Sequence, residues 1–513
     1  MIKRSQLGEV MAGFDRDVYD LACEYGGSGP YSNVLFIPSF ENMDLMIRRI
    51  HCLQREIDAY KAPSPVDQVV KEHLLEVLQW LDLTLVDDAL YPVRFMAGLN
   101  GLIASYVYLF PELVKDEDKV RRLLAKFAPL EAFLDAVYVL CQRVDDDRLQ
   151  QCLRRAQALV VQLREGVKEV GQWREGSALA TRWQKAGEVT EAFVGRLEEL
   201  KSRSRECSPL LPYEKLVTDK FAFDLNWVLS WYEEDLAEAK DRLAREGARL
   251  DPDASPFTIL ETKLGPYGSP EDMFGAARAA TDHARRHALR YVTLPEGEYC
   301  EISGLMPAQA DQLPWGAYGN ADMAPEALRG KYFLNQFNYE AVTRGWVLMM
   351  AVHEVYPGHH THYVKTYSQE LPWSFLISAF GHTQGLVEGL AHRSEELLID
   401  IFDEKAYPLF VYYRQLHTTL RIKTQIDLSV YGRSPEKVAL AYVEGMGLSP
   451  ESARMQVYSQ QMNPGRTFSY YYGMKVLNER FPRYGLSVAE YTNRIFSCGF
   501  TSLDTVDRLL QLP

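Results

Sequence analysis

Between Pro129 and Pro209 the chain contains no proline, and Leu, Ala, Val, Arg, Glu and Gln recur there at helical spacing. The run from Leu153 to Leu163 illustrates it, with apolar side chains at Leu153, Ala156, Leu159, Val160 and Leu163 and Arg154, Arg155, Gln157 and Gln162 interspersed. That period predicts long amphipathic helices packed as an antiparallel bundle. A second helical block is expected from Tyr213 to Glu246 and a third from Pro270 to Leu289. The texture changes from Tyr291 to Phe337, where Val292-Thr293-Leu294-Pro295 and Tyr299-Cys300-Glu301-Ile302-Ser303 read as short strands between Pro and Gly turns. A small sheet is expected here. Asn338, with Glu340 in the first turn, is placed to cap a helix starting at Tyr339. Further helices are expected over Trp373 to Phe402, Pro408 to Val430, Pro435 to Met446, Pro450 to Gln461 and Phe468 to Arg480. The fold class is therefore mostly α with a minor β element. It divides into a helical N-terminal region, 1–290, packing over a region, 291–513, that carries the chemistry, the two forming one continuous body.

The helix from Tyr339 runs into His353-Glu354-Val355-Tyr356-Pro357-Gly358-His359-His360. In the zinc-hydrolase pattern His-Glu-x-x-His, two histidines one turn apart chelate the metal and the Glu activates its water. Here Pro357 stands one turn on. Proline lacks the N–H, and its ring collides with the carbonyl four residues back, that of His353, so the helix must bend or bulge. Gly358 supplies the freedom to redirect the chain. On an unbroken helix His360 would return to the face of His353 about 10 Å along the axis, and His359 would point about 120° away. Neither could share a metal with His353 without the break, and spacing alone leaves both open as the second ligand.

The segment resembles the His-Glu-x-x-Pro-Gly-His signature of the domain of unknown function 885 family, bacterial proteins grouped with the Glu-ligated zincin metallopeptidases. Three further stretches agree with it: Tyr332-Phe333-Leu334-Asn335, Glu388-Gly389-Leu390-Ala391 with Leu in place of the usual Trp, and Pro464-Gly465-Arg466-Thr467-Phe468-Ser469-Tyr470-Tyr471-Tyr472-Gly473. The similarity covers residues 300 to 480. One departure is Lys423 before Asp427, where family members often carry Arg. The resemblance implies a zincin-like metallopeptidase fold with a small sheet beside the active-site helix, one Zn2+, and His359 as the second ligand.

On this reading His353, His359 and Glu388 hold the metal, because a carboxylate from a following helix completes the set and leaves one position for water. Glu354 is the general base, and it stands on a strongly apolar helix where an ionised carboxylate needs a cation, a metal or strong donors. Tyr470 matches the family tyrosine and is the candidate oxyanion donor. His392 and Glu395, one and two turns after Glu388, could orient ligands. His360 lines the pocket, Arg466 is positioned for a substrate carboxylate or a plain salt bridge, and Asn335 could support a substrate strand. His362 and His382 are expected in the pocket wall or on the surface. The segment from Gly330 to Phe337 could offer an edge strand to an extended peptide.

A net charge of −14 argues against nucleic-acid and anionic-membrane partners. A peptide or small amide substrate fits better. The first residues show no signal-peptide pattern, and no apolar run is long enough to span a bilayer, so a cytoplasmic protein is expected. Seven scattered cysteines without a Cys-x-x-Cys pair argue against a disulfide framework or thiolate site. The function expected is a zinc-dependent peptidase or amide hydrolase acting on short peptides. A non-catalytic metal-binding or scaffold protein of the same fold is the alternative, and hydrolysis of a non-peptide amide or ester is a third.

Overall fold

Among the described residues, the proline-free stretch forms three helices, Leu130–Cys141, Asp146–Glu169 and Ala178–Leu200. The computed structural model describes residues 2–104, 117–169, 178–305, 313, 315–320, 328–379 and 381–512. Parts of the expected proline-free helices, of the 291–337 segment, and Phe380 lie outside these.

Among the described residues, five helices begin at a Ser-Pro pair: Pro65–Leu90, Pro256–Lys263, Pro270–Ala288, Pro435–Met446 and Pro450–Met462. In each, the serine hydroxyl accepts the backbone N–H three residues on, while the proline occupies a position whose N–H has no helical partner. This is why the expected starts at Pro270, Pro435 and Pro450 hold. The Pro408 helix begins one residue early, as Tyr407–Ser429, and Ser469–Arg480 follows a 3-10 turn at Arg466–Phe468.

Other boundaries differ for identifiable reasons. The Tyr213 block breaks into a short turn, a π-helical turn at Leu216–Lys220 and the helix Leu225–Leu250, which starts where the Asp224 carboxylate caps Trp227 N–H. The expected Trp373 to Phe402 helix is a 3-10 turn, Trp373–Leu376, followed by Gln384–Leu397. Between them the Gly381 backbone presses on Trp80, where a Cβ would lie 2.1 Å from the indole. Asn338 does not cap a helix. The chain passes through the 3-10 turn Gln336–Asn338, and the helix begins at Arg344 after Thr343.

The sheet has three strands, β1 (Tyr299–Gly304), β2 (Gly316–Asn320) and β3 (Arg329–Leu334), in the order β1-β3-β2. β3 pairs parallel with β1 and antiparallel with β2. The Gly330 segment is thus the central strand, with both sides occupied, and not an edge open to a peptide. Val292 to Pro295 belongs to no strand.

A contiguous apolar core extends from Ile2 to Leu510 and draws on both halves of the chain. Polar ties fasten the first helices to the second half of the chain: Asp15 accepts the N–H groups of Trp373 and Ser374 at 2.6 and 2.9 Å, and Arg508 pairs with Glu76 at 2.7 Å. Among the described residues no helix is long and apolar enough to cross a membrane.

Candidate metal centre

Pro357 and Gly358 shape the centre first. The helix Arg344–Met350 widens into a π-helical turn, Ala351–Val355, closed by Tyr356 N–H donating to the Ala351 carbonyl at 3.0 Å. A cis Tyr356-Pro357 bond follows, and a new helix, His359–Tyr367, begins after Gly358. A Cβ on Gly358 would lie 1.8 Å from the His353 carbonyl oxygen, so only glycine lets the chain fold back against the turn that carries His353. The break brings the His353 and His359 rings to 4.9 Å, nearly perpendicular.

Glu388 lies beside both. Its Oε2 is 3.6 Å from His353 Nε2 and 3.5 Å from His359 Nε2, and this buried oxygen accepts no hydrogen bond. His353 and Glu388 are only 5% and 7% exposed. Glu354 presents an oxygen within 4.8 Å of the two histidines from the more open side. Two imidazole nitrogens and an unpartnered buried carboxylate converging on one point fit a divalent cation of zinc's preferences.

Glu395 orients the first histidine. Fully buried, it accepts His353 Nδ1–H at 2.7 Å, which turns Nε2 towards Glu388. His392 Nδ1 and Arg414 Nη2 lie 3.2 and 3.4 Å from the same Glu395 oxygen. Glu388, His392 and Glu395 thus share one helix face, but His392 braces Glu395, not Glu388. Burial opposes protonation of His353, yet the Glu388 and Glu395 carboxylates facing its two ring nitrogens push it up to about 10. The same carboxylates are held well below their ordinary range, against burial, Glu388 by the two histidines and Glu395 by Arg414 and His392.

His360 is turned away. Its Nε2 meets Glu298 Oε2 at 2.8 Å and its Nδ1 meets the Tyr318 hydroxyl at 3.2 Å. Glu298 also accepts from Tyr356 and Arg285, so His360 anchors the turn and does not face the point between His353, His359 and Glu388.

Three consecutive tyrosines are separated by their hydroxyls. Tyr471 donates to Asp235 at 2.9 Å, and Tyr472 accepts Asp224 N–H at 3.0 Å. Tyr470 instead lies nearly parallel to the His353 ring at 6.1 Å. Burial and the nearby Glu388 raise its hydroxyl, keeping it a proton donor. Glycines make this approach possible, because a Cβ on Gly473 would lie 1.9 Å from the Gly385 carbonyl and one on Gly389 2.6 Å from Gly473. The two helices touch backbone to backbone beside Glu388.

Asn335 is fully buried, its carboxamide accepting Phe337 and Asn338 N–H and donating to Leu313 O, so it shapes the turn after β3. His362 bonds to Gly499 O, and His382 is buried against His73 and Trp80; neither is on the surface or beside His353 and His359. Arg466 lies close enough to Tyr470 and Arg421 to influence both. Lys423 keeps the ion pair with Asp427, joined by Arg433 at 3.0 Å. Glu298, Arg414 and Arg421 were not singled out from the sequence; the i, i+7 spacing of the two arginines was the available signal.

Residues 41–508 match the profile of the family described as bacterial protein of unknown function (DUF885). The chain belongs to this family. No curated protein matches this DUF885 member. Its fold is similar to the crystal structure of "the putative lipoprotein from Colwellia psychrerythraea", with a TM-score of 0.80 at 14% identity over 99% of both chains. It is also similar to a "putative lipoprotein of unknown function from Shewanella oneidensis", with a TM-score of 0.72 at 12% identity over 100% of both chains. At these identities the likeness concerns the fold alone.

Proposed function

We propose that this DUF885 member is a zinc-dependent peptidase acting on short peptides, akin to the Glu-ligated zincins. The observation that carries the reading is the unpartnered Glu388 oxygen facing the Nε2 atoms of His353 and His359. A buried carboxylate left without a donor costs several kcal/mol on the scale of roughly 2–7 kcal/mol for unpaired buried polar groups, which a bound cation offsets.

In this reading His353, His359 and Glu388 hold the ion, which when bound acidifies a water and polarises the scissile carbonyl. Glu354 takes the proton of the attacking water and returns it to the leaving amine. The Tyr470 hydroxyl donates to the oxyanion as it forms. Glu395 keeps His353 in the tautomer that presents Nε2. Helix Leu225–Leu250 backs the tyrosine side through Trp227 and Trp231 against Tyr472 and Tyr471, which favours short peptides over folded proteins.

Elemental analysis of protein purified without chelators is expected to give about one zinc per chain, lost in His353→Ala and Glu388→Ala. Glu354→Gln retains zinc and loses about 10²–10⁴-fold in turnover of an oligopeptide library. Full turnover in that variant overturns the general-base assignment, and zinc without turnover in wild type supports a metal-binding scaffold.

A further inference from the structure

The helix Tyr407–Ser429 lays one face along the candidate centre. Arg414 reaches Glu395, Thr418 meets His392 Nε2 at 3.1 Å, and Arg421, one further turn on, lies with its guanidinium carbon 5.6 Å from the Tyr470 ring centre. Residues at i, i+4 and i+7 share a face, so the helix delivers the three in sequence from the ligand-supporting carboxylate to the tyrosine.

Arg421 differs from Arg414 in its partners. Its Nε and Nη2 donate to the neutral Gln456 Oε1 at 3.2 and 3.0 Å, and among the described residues no carboxylate lies within ion-pair distance of it. Gln456 Oε1 is shared with His417 Nε2 at 3.4 Å. The neighbouring charged side chains, Arg414 and Arg466, are themselves cationic. A half-buried guanidinium held by an amide oxygen and an aromatic ring is poorly compensated. This is notable in a chain with 70 acidic against 56 basic residues. Its planar fork is matched to a carboxylate.

We propose that Arg421 is the anchor for the C-terminal carboxylate of the peptide substrate, making the protein an exopeptidase that works from the C-terminus. The inference rests on the peptidase reading above. Distance selects the terminal carboxylate over an acidic side chain remote in the substrate. The His353 ring is 6.1 Å and the Arg421 guanidinium 5.6 Å from the same tyrosine ring. Extended chain advances about 3.5 Å per residue, so at most about three residues fit between a bond held at the centre and a carboxylate held at Arg421. The products are a shortened peptide and a fragment of about one to three residues. Gln456 positions the fork by occupying its Nε edge.

The test uses the zinc-loaded full chain with trialanine as the free acid and as its C-terminal amide. Wild type is expected to favour the acid at least tenfold in kcat/KM, mainly through KM. Arg421→Gln abolishes the preference and Arg421→Lys, which keeps charge but loses the fork, retains part of it; zinc content and melting temperature identify any variant that fails to fold. Equal kcat/KM for acid and amide in wild type overturns the proposal, as does a preference that survives in folded Arg421→Gln. Calorimetric binding of both peptides to Glu354→Gln protein separates this from the peptidase reading. If wild type hydrolyses neither peptide, that reading falls, and the carboxylate anchor stands only if the acid still binds at least tenfold more tightly than the amide.

Discussion

Replacing Gly473 with alanine probes the backbone contact that sets Tyr470 beside Glu388. The added methyl would lie 1.9 Å from the Gly385 carbonyl oxygen, whereas ordinary contact begins at 3.4 Å, so the helices must part by about 1.5 Å. The Gln384–Leu397 helix is buried at every position from Gln384 to Glu395 and cannot yield. The displacement therefore falls on Ser469–Arg480 and carries Tyr470 away from the centre. Overpacking of this kind costs about 1–3 kcal/mol. With an unfolding entropy of about 2.1 cal/mol/K per residue, a chain of this length loses about 1 °C of Tm per kcal/mol, or about 1–3 °C here. Activity is far more sensitive, since a misplacement of about 1 Å at a catalytic constellation can cost about 100-fold. Gly275 is the control. A Cβ there meets nothing within 4 Å in the helix Pro270–Ala288, so Gly275→Ala should stabilise by about 0.5–1 kcal/mol through helix propensity alone. Calorimetry, zinc analysis and peptide turnover on the three proteins decide it. Gly473→Ala with wild-type turnover would refute the argument that the helix crossing positions the tyrosine.

The two adjacent histidines should behave oppositely: His359→Ala loses zinc, whereas His360→Ala keeps it and loses about 1.5–3 kcal/mol of stability by removing a partner from buried Glu298, as measured by metal analysis and denaturant melts. Zinc loss in His360→Ala alone would reverse the ligand assignment. Glu298 also sets an acid dependence. Burial raises its carboxyl, but hydrogen bonds with His360, Tyr356 and Arg285 outweigh this and bring it down to about 2. A carboxyl depressed in the folded state stabilises fully above its unfolded value near 4.5 and loses that contribution as pH falls towards 2. The stability gap between wild type and Glu298→Gln should therefore be constant above pH 4.5 and shrink between pH 4.5 and 2 in urea melts; a gap independent of pH would show that Glu298 is not held ionised by these partners.

Local signals in the chain were enough for elements whose ends are chemically marked. Ser-Pro caps determine where the helices at Pro270, Pro435 and Pro450 start, because cap and proline act on their own turn whatever surrounds them. The break at Pro357-Gly358 is equally local: a missing N–H and a position where no Cβ fits follow from two residues. Tertiary structure decided what depends on contacts remote in sequence. Which of His359 and His360 faces Glu388 turned on Glu298, about sixty residues upstream, capturing His360. Which of Tyr470, Tyr471 and Tyr472 approaches His353 turned on Asp224 and Asp235 engaging the other two. The Gly330 strand became central, not an edge, because β1 and β2 pair with both its sides, a register no pattern within the strand encodes. Arg421 resembles any helix arginine in the sequence; only packing reveals that among the described residues it meets the Gln456 amide and no acid, because its neighbours come from segments remote in the chain.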